Sequence, residues 1–170
     1  MKNIFVITGC AGAGKTTLID ALRKKGFCCA EEASREVIRE GGLPGSVDFA
    51  LLVMKKRIEQ YNSAKDKVCF FDRGIPDILG YLTVFDNPVP KELSLAAKKY
   101  KYNKKVFFTE PWEDIFKNDS ERMESFKIAE KVSVEIKKAY VGLGYEVVSL
   151  PKCSVAKRVE FISKQAGALK

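Results

Sequence analysis

The 170-residue chain contains no histidine. That absence removes His-based catalytic triads and most zinc-hydrolase schemes, and it leaves phosphoryl transfer as a chemistry that proceeds without one. The five cysteines (Cys10, Cys28, Cys29, Cys69, Cys153) form no C-x-x-C pair. With no signal-peptide pattern ahead of them, they are expected to be reduced core thiols of a cytoplasmic protein. Long hydrophobic runs are also missing: the apolar stretches are strand-length, so none is expected to span a membrane.

What is present is ordinary in amount and specific in arrangement. Hydrophobic residues make up 46% and charged residues 31% of the chain, suited to one globular domain over residues 1–170 with a single α/β core. A net charge of +8 asks for an anionic ligand or partner, and a nucleotide meets that demand as well as a nucleic acid does.

The most informative stretch lies near the start. Ile4-Phe5-Val6-Ile7 reads as a buried strand, and Thr16, Leu18, Ile19, Ala21 and Leu22 open a helical pattern. Between them, Gly9-x4-Gly14-Lys15-Thr16 is a complete Walker A pattern in the strand–loop–helix context it requires. Gly9, Gly12, Ala13 and Gly14 leave the backbone bare, so its N–H groups, with those of Lys15, Thr16 and Thr17, are expected to cradle phosphates at a positive helix end. Lys15 supplies a mobile cation for the β- and γ-phosphates, and the Thr16 hydroxyl is placed for Mg²⁺.

Further along, an apolar run over residues 27–30 predicts a second strand, followed by Glu31-Glu32-Ala33-Ser34-Arg35-Glu36 at a helix start. Ligands of open α/β sheets bind beyond the carboxyl ends of the strands, which makes Glu32 a candidate catalytic carboxylate, with Arg35 one turn later. The alternative is an acidic first turn complementing the helix dipole. A breaker-rich loop, Gly41-Gly42-Leu43-Pro44-Gly45, precedes a long helix over 47–64 that Ser46 or Asp48 caps. Val68-Cys69-Phe70-Phe71-Asp72-Arg73-Gly74 is a buried strand ending in Asp, the Walker B arrangement, with Asp72 for Mg²⁺. Arg73 and Asp77 then belong to the site, or else form a surface pair at a helix start.

The basic run from Lys98 to Lys105 interleaves Tyr100 and Tyr102, which is compatible either with a nucleic-acid contact or with a solvated helix end. Asn103-Lys104-Lys105-Val106 falls short of the guanine-specifying Asn-Lys-x-Asp and precedes its strand, so GTP specificity is not expected. A fourth strand over 106–109 leads to a polar segment whose Arg122 is the candidate for a lid cation closing over the transferring phosphate. Its rival role is a helical partner for a neighbouring acid. A helix to about residue 140, a fifth strand over 145–150 and a final helix to residue 165, capped by Ser154, complete the reading.

Together G-x-x-G-x-G-K-T-T-L, E-x-x-R-E, F-F-D-R-G-x-P-D and P-W-x-x-x-F-x-N-D-x-x-R resemble the small P-loop proteins of the AAA-type predicted-ATPase family (AAA domain 28-like), over residues 4–162. That family is similar in layout to nucleoside and nicotinamide riboside kinases. The resemblance implies a three-layer α/β P-loop NTPase fold with helices on both faces of a five-stranded parallel sheet of order 2-3-1-4-5. It also implies that Glu32, Arg35, Asp72, Arg73, Asp77, Asn118, Asp119 and Arg122 gather around nucleotide and acceptor pockets. Strand three lacks the Asp-Glu ending of ring ATPases, so a hexameric motor is not expected.

The expectation is therefore an ATP- and Mg²⁺-dependent phosphotransferase for a small nucleoside- or nucleotide-like acceptor. Lys15, Glu32, Asp72, Arg73 and Arg122 are its catalytic candidates, Glu32, Arg35, Asp77 and Asp119 its acceptor site, and Thr16 and Asp72 its metal site. The alternatives are a non-transferring ATPase or switch signalling to a partner protein, and a polynucleotide 5′-kinase.

Overall fold

A computed structural model describes residues 3–64, 67–116 and 125–168. Five strands form one parallel sheet: β1 (Ile4–Gly9), β2 (Cys28–Ala30), β3 (Cys69–Asp72), β4 (Lys105–Thr109) and β5 (Glu146–Ser149), in the spatial order β2-β3-β1-β4-β5. Ile4 pairs with Cys69 and Ile7 with Asp72 on one side of β1, while Val6 pairs with Val106 and Gly9 with Thr109 on the other. The order and the parallel direction are those implied by the family resemblance.

The three central strands are continuous apolar runs because both faces of the sheet are covered. Alternate residues go to opposite sides. Phe5, Ile7, Phe70 and Phe107 pack under α1 (Lys15–Lys24) and the final helix, through Leu18, Ile19, Leu22, Val159 and Ile162. Phe5 stacks on Phe107 at 5.7 Å and meets Phe70 at 5.8 Å. On the other face Ile4, Val6, Phe71, Val106 and Phe108 meet Val132, Ile136 and Tyr140.

The helices follow their sequence signals with small shifts. Between β2 and β3 lie α2 (Ala33–Arg39) and α3 (Val47–Ser63), and Ser46 caps α3 by accepting from the Phe49 N–H at 3.1 Å. Helix α4 (Ile75–Val84) starts directly after Gly74, with Pro76 in its first turn. Proline is well suited to a first turn, and the Asp77 carboxylate accepts the Gly74 N–H at 2.8 Å. Helices α5 (Lys91–Lys99), α6 (Phe126–Gly142) and α7 (Val155–Gln165) complete the chain, with a short 3-10 turn at Glu113–Ile115. Ser154 occupies the N-cap position of α7 without a side-chain cap bond. No helix among the described residues is long and apolar enough to cross a membrane.

Two expectations need correction or narrowing. Cys28 and Cys69 are joined in a disulfide, so the five cysteines are not all reduced thiols; Cys10, Cys29 and Cys153 are free. The pair is in register across β2 and β3, a proximity that a sequence separation of 41 residues does not reveal. The aromatics of the basic run point inward: Tyr102 is fully buried, and Tyr100 packs edge-on against Tyr61 at 5.4 Å. Neither ring is presented for base stacking, and the run leads into the start of β4, at the opposite end of the sheet from the phosphate loop.

Helix α4 lies close against α6 at Gly80, where a β-carbon would stand 2.7 Å from the Ile136 nitrogen and 2.8 Å from its α-carbon. Alanine favours helix by about 1 kcal/mol over glycine. Gly80→Ala should nevertheless lower stability by about 1–3 kcal/mol through overpacking. Urea unfolding would show a reduced midpoint, and an unchanged one would refute the close contact.

Candidate active site at the carboxyl ends of the strands

The loop after β1 is pressed against the end of β4. A β-carbon at Gly9 would lie 2.2 Å from the Thr109 carbonyl oxygen and 2.3 Å from its hydroxyl, and the residue has φ +127°, so only glycine fits. Ala13 packs with Cys10 against Ala129 of α6, which fixes the loop from behind. Lys15 opens α1 and is buried, with its ammonium donating to the Cys10 carbonyl across the loop. Gly12, Gly14, Lys15, Thr16 and Thr17 border a cavity of about 1070 Å³, together with Asp72, Arg35, Trp112, Lys152 and Arg158.

The residues after β2 and β3 converge on the same edge. Glu32 occupies the N-cap position of α2, but its carboxylate makes no cap bond. Oε1 accepts from Arg73 Nε at 2.8 Å and from the Ser34 hydroxyl at 2.7 Å, and Oε2 lies 3.7 Å from Arg35 Nε. The Arg73 side chain is 4% exposed, which rules out a surface pair. Its Nη1 donates to the Gly9 carbonyl at 2.8 Å and to Asp77 Oδ1 at 3.2 Å, and its Nη2 donates to the Tyr81 hydroxyl at 3.1 Å. Burial opposes the guanidinium charge, but Tyr81, Glu32, Asp77 and Asp72 together hold it well above its ordinary pKa.

Asp77 is saturated by the protein. Oδ1 accepts from the Thr8 hydroxyl as well as from Arg73, and Oδ2 accepts from the Gly74 N–H and from the Tyr140 hydroxyl at 2.6 Å. Burial, then the Asp77 charge, pushes the Tyr140 pKa well up, so the phenol remains a donor. Asp77 thus ties β1, α4 and α6 together beside the site.

Arg73 has φ +70°, a left-handed backbone rare for a side-chain-bearing residue. The chain turns there so that Asp72 borders the phosphate-loop cavity while Arg73 borders a second one of about 610 Å³. This second cavity has apolar walls from Ile38, Phe49, Val53, Ile78 and Leu82, and Glu32, Arg73 and Asp77 at its polar end. Among the described residues, Glu32 is the carboxylate that borders both cavities.

Asp72 Oδ1 is buried and has no hydrogen-bond partner among the described residues. Burial raises its carboxyl pKa, Glu32 raises it further, and Lys15, Arg73 and Arg57 act in the opposite direction. An orphaned buried oxygen on a residue that borders the same cavity as Thr16 fits a divalent cation, and Mg²⁺ is commonly held by one or two carboxylates plus phosphate oxygens. No cluster of three His, Cys, Asp or Glu side chains able to hold a metal gathers among the described residues. Asn118, Asp119 and Arg122, named from the sequence, lie outside the described residues.

Sequence reading missed two participants. Arg57 of α3 is fully buried; it donates to the Glu31 carbonyl at 3.1 Å and to the Asp72 carbonyl, joining the ends of β2 and β3. Its signal was a charge on the helix face otherwise formed by Ala50, Val53 and Met54. Tyr140 offered none, because its partner Asp77 lies 63 residues away.

A strand–glycine-loop–helix cradle, an acid ending the neighbouring strand and a parallel 2-3-1-4-5 sheet define a P-loop nucleotide-binding protein. The sequence profile of the family described as AAA domain matches residues 4–158, and the chain belongs to that family. No curated protein sequence matches it. Among solved structures it is similar to a deoxyadenosine kinase from M. mycoides with the products dCMP and dCDP bound (TM-score 0.69, 15% identity, 98% of this chain and 100% of that one). It is also similar to NadR protein in complex with NR (TM-score 0.77, 16% identity), covering 99% of this chain and 52% of that one. A thymidylate kinase from Ehrlichia chaffeensis gives a TM-score of 0.68 at 12% identity, over 96% and 98% of the two chains. At these identities the likeness is one of fold.

Asp77→Asn places an amide donor where four donors already converge. It should destabilise the protein by about 3 kcal/mol or more, the usual consequence of breaking a buried charge network on one side. Chemical denaturation measures this; a loss below about 1 kcal/mol would show that the network is not structural.

Proposed function

We propose that the protein is an ATP- and Mg²⁺-dependent kinase that phosphorylates a hydroxyl group of a small nucleoside-like acceptor. The reading is carried by one observation: Glu32, anchored by Arg73, stands at the junction of the phosphate-loop cavity and a largely apolar second cavity. A nucleotide in the first and a ring-bearing acceptor in the second would meet at that carboxylate. The fold neighbours include kinases of nucleosides and nucleotides, in keeping with this assignment.

In the proposed reaction Lys15 and the loop amides hold the β- and γ-phosphates, and Thr16 and Asp72 would hold Mg²⁺, which supplies charge neutralisation along the phosphate chain. Glu32 accepts the proton of the acceptor hydroxyl as that oxygen bonds to the γ-phosphorus and the bond to the β–γ bridging oxygen breaks, releasing ADP. Arg35 stands beside Glu32 on the phosphate side, and Arg122 remains the lid candidate. Arg73 and Asp77 are positioning residues, because their polar atoms are taken up by the protein.

The same saturation favours a nucleoside over a nucleotide acceptor. The cations bordering the second cavity among the described residues are Arg57 and Arg73. Arg73 uses all three guanidinium nitrogens on protein partners, and both terminal nitrogens of Arg57 bond backbone or side-chain oxygens. A buried acceptor phosphate would need an unengaged cation there.

The test is transfer of labelled phosphate from ATP to a panel of nucleosides and their 5′-monophosphates. Transfer to a nucleoside is expected, with no product from the monophosphates. Glu32→Gln should lower turnover by about 10²–10⁴-fold while ATP binding persists. Hydrolysis of ATP at a rate no acceptor alters would instead support the non-transferring ATPase.

A further inference from the structure

Arg158, in the first turn of α7, plays no part in the scheme above. Its side chain is 4% exposed, its Nε is buried without a hydrogen-bond partner, and no ion pair compensates it among the described residues. Beneath it Val159 and Ile162 are packed into the core against α1, so the first turn of α7 is fixed and the arginine is not a surface residue folded inward. The guanidinium reaches the phosphate loop: a β-carbon at Gly14 would lie 3.3 Å from Arg158 Nη1. It borders the same cavity as Gly14, Lys15, Thr16 and Asp72.

Buried arginines in proteins are ordinarily matched by a carboxylate or by carbonyl acceptors, as Arg73 and Arg57 are here. Arg158 has a buried donor and no ion-pair partner among the described residues, at the edge of a loop whose bare amides and helix terminus favour anions. We propose that Arg158 grips the phosphate chain of the bound nucleotide from the α7 side, across the loop from Lys15. The inference rests on the reading of this cavity as the nucleotide site. Phosphate is the favoured contact because a desolvated guanidinium pairs with an anion in fork geometry, which neither a ribose nor a base supplies. Burial draws the Arg158 pKa below its usual value, as expected of a cation held away from solvent.

The experiment compares wild type, Arg158→Met and Arg158→Lys by calorimetry with ATP and, separately, with inorganic tripolyphosphate, and measures the melting temperature of each protein with and without ligand. Arg158→Met should bind both ligands at least tenfold more weakly, and Arg158→Lys should recover part of the loss. The melting temperature of ligand-free Arg158→Met should be no lower than that of wild type, because an uncompensated buried cation has been replaced by an apolar chain of similar length. Equal tripolyphosphate affinity in wild type and Arg158→Met overturns the proposal, and a loss confined to ATP would assign the arginine to the nucleoside half. A lowered ligand-free melting temperature with unchanged affinities would mark a structural residue and also overturns it. Failure of wild type to bind either ligand would overturn the nucleotide-site reading itself, a result distinct from the other two.

Discussion

The Arg73 guanidinium holds the working edge of the sheet together. It bonds the Gly9 carbonyl at the end of β1 and Glu32 just beyond β2, while its own backbone N–H donates to Ile7 from the end of β3. Those three strands are neighbours in the order β2-β3-β1. A planar fork with donors in several fixed directions reaches all of these partners, and a lysine ammonium would not reproduce that pattern. The left-handed backbone at Arg73 costs about 1–2 kcal/mol, which the surrounding bonds offset. The geometry of Glu32 is therefore a consequence of the strand ends and of one buried cation, not of the short helix that Glu32 precedes.

This dependence explains which parts of the site could be read from the sequence. The strand, loop and helix around Gly9 to Thr17 were legible because they are consecutive and set by local backbone geometry. Asp72 was legible because an acid closing a buried apolar strand stands out locally. Arg57 was not, since its backbone partners are the carbonyl just beyond β2 and the last carbonyl of β3, 26 and 15 positions away. A lone arginine on a helix face gives no hint of which backbone oxygens it will meet. Asp77 was recognised, but its four donors come from β1, the β3–α4 turn and α6, and only the fold shows that it is consumed by them. The Cys28–Cys69 pairing failed for the same reason: register between β2 and β3 is a property of the sheet. Fold-level order was accessible through family resemblance, whereas cross-strand chemistry was not.

The two cavities are separated by the turn at Asp72-Arg73. Consecutive residues of an extended strand alternate faces, and the left-handed step at Arg73 adds a further change of direction. One carboxylate is thereby committed to the phosphate side and one guanidinium to the other. Arg57 reinforces the division from α3 by holding the Asp72 carbonyl. Glu32 lies where the partition ends, which is where a group shared by two bound molecules has to be. The proposed division of labour, nucleotide on one side and uncharged acceptor on the other, follows from which charged atoms the protein has already used.

Among the described residues, the buried polar atoms without a hydrogen-bond partner at the phosphate-loop cavity include Asp72 Oδ1, an acceptor, and Arg158 Nε, a donor. Each is unfavourable alone, and each belongs to a side chain bordering the same space. A purely anionic ligand would answer the arginine and repel the carboxylate; a bare cation would do the reverse. A magnesium–nucleotide complex carries both signs; in the proposed arrangement the metal would face Asp72 and Thr16 and the phosphate oxygens Lys15 and Arg158. On the proposed reading, complementarity of this kind would favour the complex over either component, because neither alone relieves both groups. The protein thus leaves stability uncollected at both an acceptor and a donor on one cavity, in the arrangement expected where binding supplies the missing partners.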